Sequence, residues 1–113
     1  MREAKTELKY RDRFVKRLEN CGYTVTENAK AKGKSGVEHT FDILAYRDDG
    51  FMTYAIAVGM AVRSDEEVGL GAIFNFDEKA YDTGISDKIF IAIPKLSSLP
   101  SSFAQKQRII VFV

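Results

Sequence analysis

The segment Glu38-His39-Thr40-Phe41-Asp42 carries two carboxylates and the chain's only histidine within five residues. Carboxylate oxygens are the ligands a magnesium ion prefers, and an imidazole can carry a proton or complete a metal site. Successive side chains of a strand alternate between its faces, so Glu38 and Asp42, four apart, share a face as a candidate carboxylate pair. His39 precedes Asp42 by three positions and falls on the opposite face, where a hydrogen-bonded strand histidine is expected rather than a co-ligand. Each carboxylate also has a plainer role open to it: Asp42 holding a turn or pairing with Lys or Arg, and Glu38 solvated at the strand entrance.

Just upstream, Lys30, Lys32 and Lys34 alternate through Ala29-Lys30-Ala31-Lys32-Gly33-Lys34-Ser35-Gly36. Three lysines and two glycines without a large apolar group predict a mobile loop that packs no core and can meet phosphates without reading sequence. The rest of the front of the chain is basic too. Residues 1–34 hold 10 Lys/Arg against 5 Asp/Glu, while residues 35–113 hold 7 against 11, so a total charge of +1 conceals a basic first third. Clustered charge, not its total, is what a polyanion meets, so a phosphate-facing edge stands beside the plainer reading of a solvated helix face and a basic loop.

The elements that must position these groups follow from periodicity. Between Ala4 and Asn20 apolar residues fall at Leu8, Val15 and Leu18, with Phe14 and Cys21 offset, which predicts an amphipathic helix stopped by Gly22. Cys21 follows that stripe, so it is expected in the core rather than as a reactive thiol. Tyr23 to Thr26 reads as a short strand. Glu38–Tyr46 and Phe51–Val62 read as a hairpin joined by Asp48-Asp49-Gly50. Ala55 to Val62 is nearly continuous in small and apolar residues, as in a central strand covered on both faces. Ser64 and Asp65 are expected to cap a helix with Val68, Ile73, Phe76 and Ala80 on one side and Gly84 at its end. Lys88–Pro94 and Ile109–Val113 complete the strands, with a short helix expected between Leu96 and Lys106. The resulting order, αβββαβ(α)β, predicts a single α/β domain over residues 1–113, a sandwich around a mixed sheet. Gly69, Gly71, Phe74 and Phe76 make no phosphate-binding pattern and are assigned to packing.

The lone Cys21 excludes an internal disulfide and fits a reducing, cytoplasmic setting. The basic, polar amino terminus does not read as a signal peptide, and the longest apolar run, Tyr54 to Val62, is too short to span a bilayer. No membrane partner and no small-molecule cofactor are expected.

From Gly33 to Ala45 the chain resembles the small archaeal and bacterial restriction-endonuclease-like proteins of the PD-(D/E)xK superfamily related to type IV restriction enzymes. The resemblance extends to an opening helix ending in Gly22-Tyr23, the basic loop, the aspartate-bearing strand and the hairpin. It also takes in a helix ending in Tyr81-Asp82-Thr83-Gly84 before an Ile-rich strand. It implies a restriction-endonuclease-like sandwich, with Asp42 at the metal-binding aspartate and Ala57 and Gly59 at the Glu and Lys positions of Glu-x-Lys. Alanine offers no oxygen to a cation and glycine no amine to the attacking water, so the resemblance implies a degenerate motif. Within it, Asp42 would be a relic metal ligand and Asp12, on the first helix, the candidate auxiliary acid.

The expected function is a catalytically inactive nuclease homologue that binds DNA weakly and non-specifically, through Lys30, Lys32, Lys34 and Arg13 of the basic helix, as a homodimer. Two alternatives stand beside it: a dimerisation or protein-interaction module, and a magnesium-dependent DNA endonuclease with a relocated motif. The nearest charged residues for such relocation along the chain are Arg63, Asp65, Glu66 and Glu67.

Overall fold

A computed structural model of the chain describes residues 2–62, 70–93, 103, 105–107 and 109–112. The elements run α1 (Arg2–Asn20), β1 (Thr24–Lys32), β2 (Glu38–Asp48), β3 (Thr53–Val62), α2 (Leu70–Thr83), β4 (Asp87–Ile93) and β5 (Ile109–Phe112). The strands form one mixed sheet in the order β1-β2-β3-β4-β5. β1–β2 and β2–β3 pair antiparallel, β3–β4 and β4–β5 parallel. Parallel neighbours need a crossover, and α2 supplies it between β3 and β4. The expected α/β order holds for these elements, whereas Val68, Gly69, the cap at Ser64-Asp65 and the charged run Arg63, Asp65, Glu66 and Glu67 lie outside the described residues.

Both helices end the way their glycines require. Gly22 (φ +90°) and Gly84 (φ +77°) take the left-handed conformation. The amides of Gly22 and Tyr23 donate to the carbonyls of Glu19 and Leu18, and those of Gly84 and Ile85 to Tyr81 and Ala80. This is the paired Schellman closure that satisfies the last carbonyls of a helix, sealed by Tyr23 and Ile85 returning to the core. Cys21 falls in the first of these turns, beyond the helical stripe, and is exposed. The expectation of a core cysteine therefore fails, because the helical period stops one residue before it.

Two hydrophobic clusters lie on opposite faces of the sheet. Leu18, with Phe14 and Val15 of α1, packs on Ile43, Ala45, Val58 and Ile91. Ile73, Phe76 and Ala80 of α2 pack on Phe41, Leu44, Ala57, Phe90 and Ala92. β3 contributes to both, with Ala57 and Val58 fully buried on its two sides, as a central strand demands. Of the residues assigned to packing, Phe76 is core and Phe74 lies edge-on to Phe103 at 4.4 Å between ring centroids. Gly71, by contrast, has open space where a side chain would project.

The segment predicted as a mobile loop is ordered. Ala29–Lys32 continue β1 and pair with Glu38–Phe41, and Ala29 and Ala31 pack against the α2-side cluster. The alternation of lysine with alanine is a strand with a small-residue inner face, which lacks the bulky apolar signal by which strands are recognised. The connection shrinks to residues 33–37, closed by the Gly33 amide donating to the Val37 carbonyl at 2.8 Å.

Candidate functional site: a closed carboxylate at the β2–β3 fork

Strand alternation breaks at one level of the sheet. In β2, Ile43 and Ala45 face α1 and Leu44 faces α2, yet Phe41 also belongs to the α2-side cluster, three residues from Leu44 rather than two. In β1, Val25 packs on the α1 side and Ala29 on the α2 side, although an even spacing should keep them together. Both shifts meet at Asn28 and Asp42. Asn28 takes a left-handed φ of +48°, and the register passes from Glu27↔Ile43 to Ala29↔Phe41 without pairing the two residues between. On the other side, β2–β3 pairing ends at Ile43↔Val58, so the strands fork just where Asp42 stands.

At the fork the Asp42 carboxylate replaces the missing backbone partner. Its Oδ2 accepts the Met60 amide at 2.9 Å. Its Oδ1 accepts from Nη2 of Arg11 at 3.1 Å. Arg11 is a buried charged residue of α1, only 8% exposed, and its Nη1 also donates to Asn28 Oδ1 at 3.2 Å. One guanidinium therefore ties together the two residues at which the strands change phase. Both oxygens of Asp42 are occupied by donors of the protein itself, and the charge beside it is a fixed cation rather than an open metal position.

The other expected motif positions are filled as well. Ala57 and Gly59 both face α2. A Cβ on Gly59 would lie 2.6 Å from the Phe76 ring, so the direction a lysine side chain would take is occupied by an aromatic core residue. Asp12, next to the inward Arg11, is exposed, and so is Glu38. Among the described residues no group of three or more His, Cys, Asp or Glu side chains is arranged to hold a metal. A cleft of about 210 Å³ opens between the fork and α2, lined among others by Asp42, Gly59, Asn75 and Lys79. Lys79 Nζ donates to the Thr40 carbonyl at its edge, at 3.0 Å.

His39 and Asp42 take separate partners. His39 Nε2 meets Asp82 of α2 at 2.7 Å. Asp82 also accepts from the Ser35 hydroxyl (2.6 Å) and amide (3.0 Å), while its carbonyl accepts the Lys34 amide at 2.8 Å. A Cβ at Gly33 would run into this carboxylate. Hydrogen bonds from Ser35 and then His39 hold the Asp82 carboxyl down at about 2, because each stabilises its charged form. The β1–β2 turn is thus clamped to the end of α2.

The four basic residues expected to act together are divided. Lys30 and Lys32 are exposed on the side of β1 opposite Ala29 and Ala31. Lys34 lies past the clamp, with its Nζ 5.8 Å from the Tyr81 ring centroid on α2. Arg13 is exposed on α1, over the ring of Tyr10.

Three groups that matter here escape a reading of the sequence by type: Arg11, Lys79 and Asp82. Arg11 did leave a signal. It falls three after Leu8, four before Val15 and seven before Leu18, a charge placed in the apolar stripe itself, and a charge in such a position needs a buried partner. Lys79 and Asp82 carry no such mark.

No family model matches the chain. An uncharacterised protein of Archaeoglobus fulgidus is 42% identical over 38 residues, a stretch covering 34% of this chain and 30% of that protein. The chain is also similar to the crystal structure of AF1548, a protein of unknown function, with a TM-score of 0.70 and 20% identity over 87% of this chain. The chain spans about half, 53%, of that solved structure and less than a third of the curated relative it matches. The likeness at this identity is one of fold: an α/β domain that, among the described residues, has a five-stranded mixed sheet with helices α1 and α2.

Proposed function

We propose that the chain is a restriction-endonuclease-like domain whose cleavage site has been closed by an internal ion pair and which acts by binding DNA without cutting it. The observation that carries this reading is the Asp42 carboxylate, with one oxygen on Arg11 and the other on the Met60 amide. The aspartate stands on the first hairpin strand of an αβββαβ arrangement, at the fork where such a nuclease would gather its metal. Here a guanidinium neutralises it, and magnesium, which needs several oxygens in octahedral array, finds no cluster of three His, Cys, Asp or Glu side chains among the described residues. Phe76 beside Gly59 removes the room for a lysine on β3.

Exposed cations remain in a form suited to phosphate. Lys30 and Lys32 project from one face of the sheet edge, and Lys9, Arg13, Lys16 and Arg17 are exposed along α1. Such a surface binds through counterion release, so its affinity falls steeply with salt and reads little sequence. Fluorescence anisotropy with a 20-base-pair duplex tests it. Binding at low ionic strength is expected, and K30E/K32E should weaken it while lowering the slope of log affinity against log salt by about 2, near 0.9 per lost contact. No duplex binding at low ionic strength refutes the reading.

One observation favours a second reading, a magnesium-dependent endonuclease with a relocated lysine: Lys79 lines the same cleft as Asp42. It requires Arg11 to leave the carboxylate. Its signature is DNA cleavage with magnesium or manganese that disappears in both Asp42→Ala and Lys79→Ala.

A further inference from the structure

On the far side of α2 from the sheet fork, the last helical turn presents Tyr81 with 81% of its surface exposed. Ala80 takes the buried position of this turn and Tyr81 is turned out. Lys34 holds its ammonium over one face of the ring, 5.8 Å from the centroid, and leaves the other face to a base. Lys34 is not placed there by chance of a floppy loop. Its amide is bonded to the Asp82 carbonyl, and the neighbouring Ser35 is fastened twice to the Asp82 carboxylate. A hollow of about 320 Å³ adjoins the ring, bordered by Lys34, Tyr81, Ser86, Lys88 and Gln107. Lys88 is held at its wall by Asp77 at 2.8 Å.

We propose that Tyr81, with Lys34 beside it and the hollow bordered by Ser86 and Gln107, is a binding site for one unpaired nucleotide of a single-stranded nucleic acid. An exposed aromatic face accepts any base by stacking, a neighbouring ammonium meets the phosphate that follows it, and hydroxyl and amide groups at the edge suit sugar and base. The hollow has the size of a small-ligand site rather than of a duplex groove. A paired base cannot use it, because its faces are already stacked on its neighbours. The site is separate from the Lys30 and Lys32 face, so it stands or falls independently of duplex binding there. The clamp formed by Asp82, Ser35 and His39 thereby gains a purpose: it fixes the lysine against the ring before the strand arrives, so little ordering is left to the binding step.

The test is fluorescence anisotropy with labelled oligo-dT of 12 nucleotides and with the 20-base-pair duplex, in parallel. Tyr81→Ala should weaken single-strand binding about ten-fold, the loss expected for one base–aromatic stack, and leave duplex binding within two-fold. Tyr81→Phe should retain single-strand affinity, and Lys34→Ala should lower it together with its salt dependence. Tyr81 is exposed, so the alanine variant is expected to melt with the wild type; should it not, Tyr81→Ser and Lys34→Glu serve in its place. Undiminished dT12 binding by Tyr81→Ala, or by Tyr81→Ser where it stands in, overturns the proposal, as does equal loss for duplex and single strand. Binding of thymidine monophosphate as tight as that of dT12 also overturns it in favour of a free-nucleotide site. Loss of duplex affinity in K30E/K32E with dT12 affinity kept would separate the two surfaces.

Discussion

Replacing Asp42 by alanine takes a carboxylate oxygen from two donors at once: the buried guanidinium of Arg11, which keeps Asn28 Oδ1, and the Met60 amide. Removing one member of a fully buried ion pair costs about 3–5 kcal/mol, mainly because the remaining charge is left without a partner. The Arg11 side chain is 10% exposed and that of Asp42 32%, so water reaches the vacated position and screens part of the cost. That screening, with Asn28 Oδ1 still on the guanidinium, brings the cost below that range, to about 2–3 kcal/mol, of which about 1 belongs to the unpaired amide. For a chain of this size that is a fall in Tm of about 10 °C. Arg11→Ala leaves a carboxylate that keeps the Met60 amide and gains solvent, and should cost less, about 1–2 kcal/mol. Urea denaturation of both single variants and the double variant measures the coupling. The double variant should be more stable than the sum of the singles predicts by about 1.5 kcal/mol, since both members of the pair are then gone together. Additivity within about 0.5 kcal/mol would show that the pair does not hold the fork, and a stabilised Asp42→Ala would show that the site carries functional strain instead.

Gly59→Lys, which places on β3 the lysine of the proposed nuclease motif, should destabilise the fold by more than about 2 kcal/mol, because its Cβ must displace the Phe76 ring; Gly59→Ala should already cost about 1–2 kcal/mol in the same urea titration. Asp82, held at about 2 in the folded chain against an ordinary 3.8, contributes stability that is complete above pH 4 and is lost as pH falls toward 2. Hydrogen exchange at Lys34 and Ser35 should therefore accelerate selectively across that window, and Asp82→Asn should abolish the change; uniform protection from pH 4 to 2 would contradict the clamp. Cys21 is exposed and should react fully with a thiol reagent in the native protein, whereas protection until unfolding would return it to the core.

The parts of the fold that were legible in the sequence are those decided by a few neighbouring residues. Gly22 and Gly84 end helices because the left-handed cap is local, and Asp48-Asp49-Gly50 turns the hairpin because Asp48 and Asp49 accept the amides of residues 50–52 themselves. β3 was recognisable as central because both its faces are apolar. What stayed hidden depends on residues far apart in the chain. A period of two assumes an unbroken strand, and the break at Asn28 and Asp42 reversed the faces on either side of it. Lys30 and Lys32 looked like a loop because their inner-face partners are alanines, whose burial needs the closely packed α2. Arg11 sits in the apolar stripe of α1, but its partner Asp42 lies 31 residues away and is not given by that stripe. Asp42 and Gly59 stand out in the order of motifs, but their neighbours, Arg11 on one and Phe76 on the other, are visible only once the elements are packed.

The most direct test of the closed carboxylate is a crystal of the protein grown or soaked in millimolar manganese, with anomalous scattering recorded at the manganese edge. Arg11 should remain on Asp42 with no anomalous peak beside its oxygens. A peak at a coordination distance of about 2.2 Å from Asp42, with Arg11 swung away, would contradict the account and restore the metal-dependent nuclease.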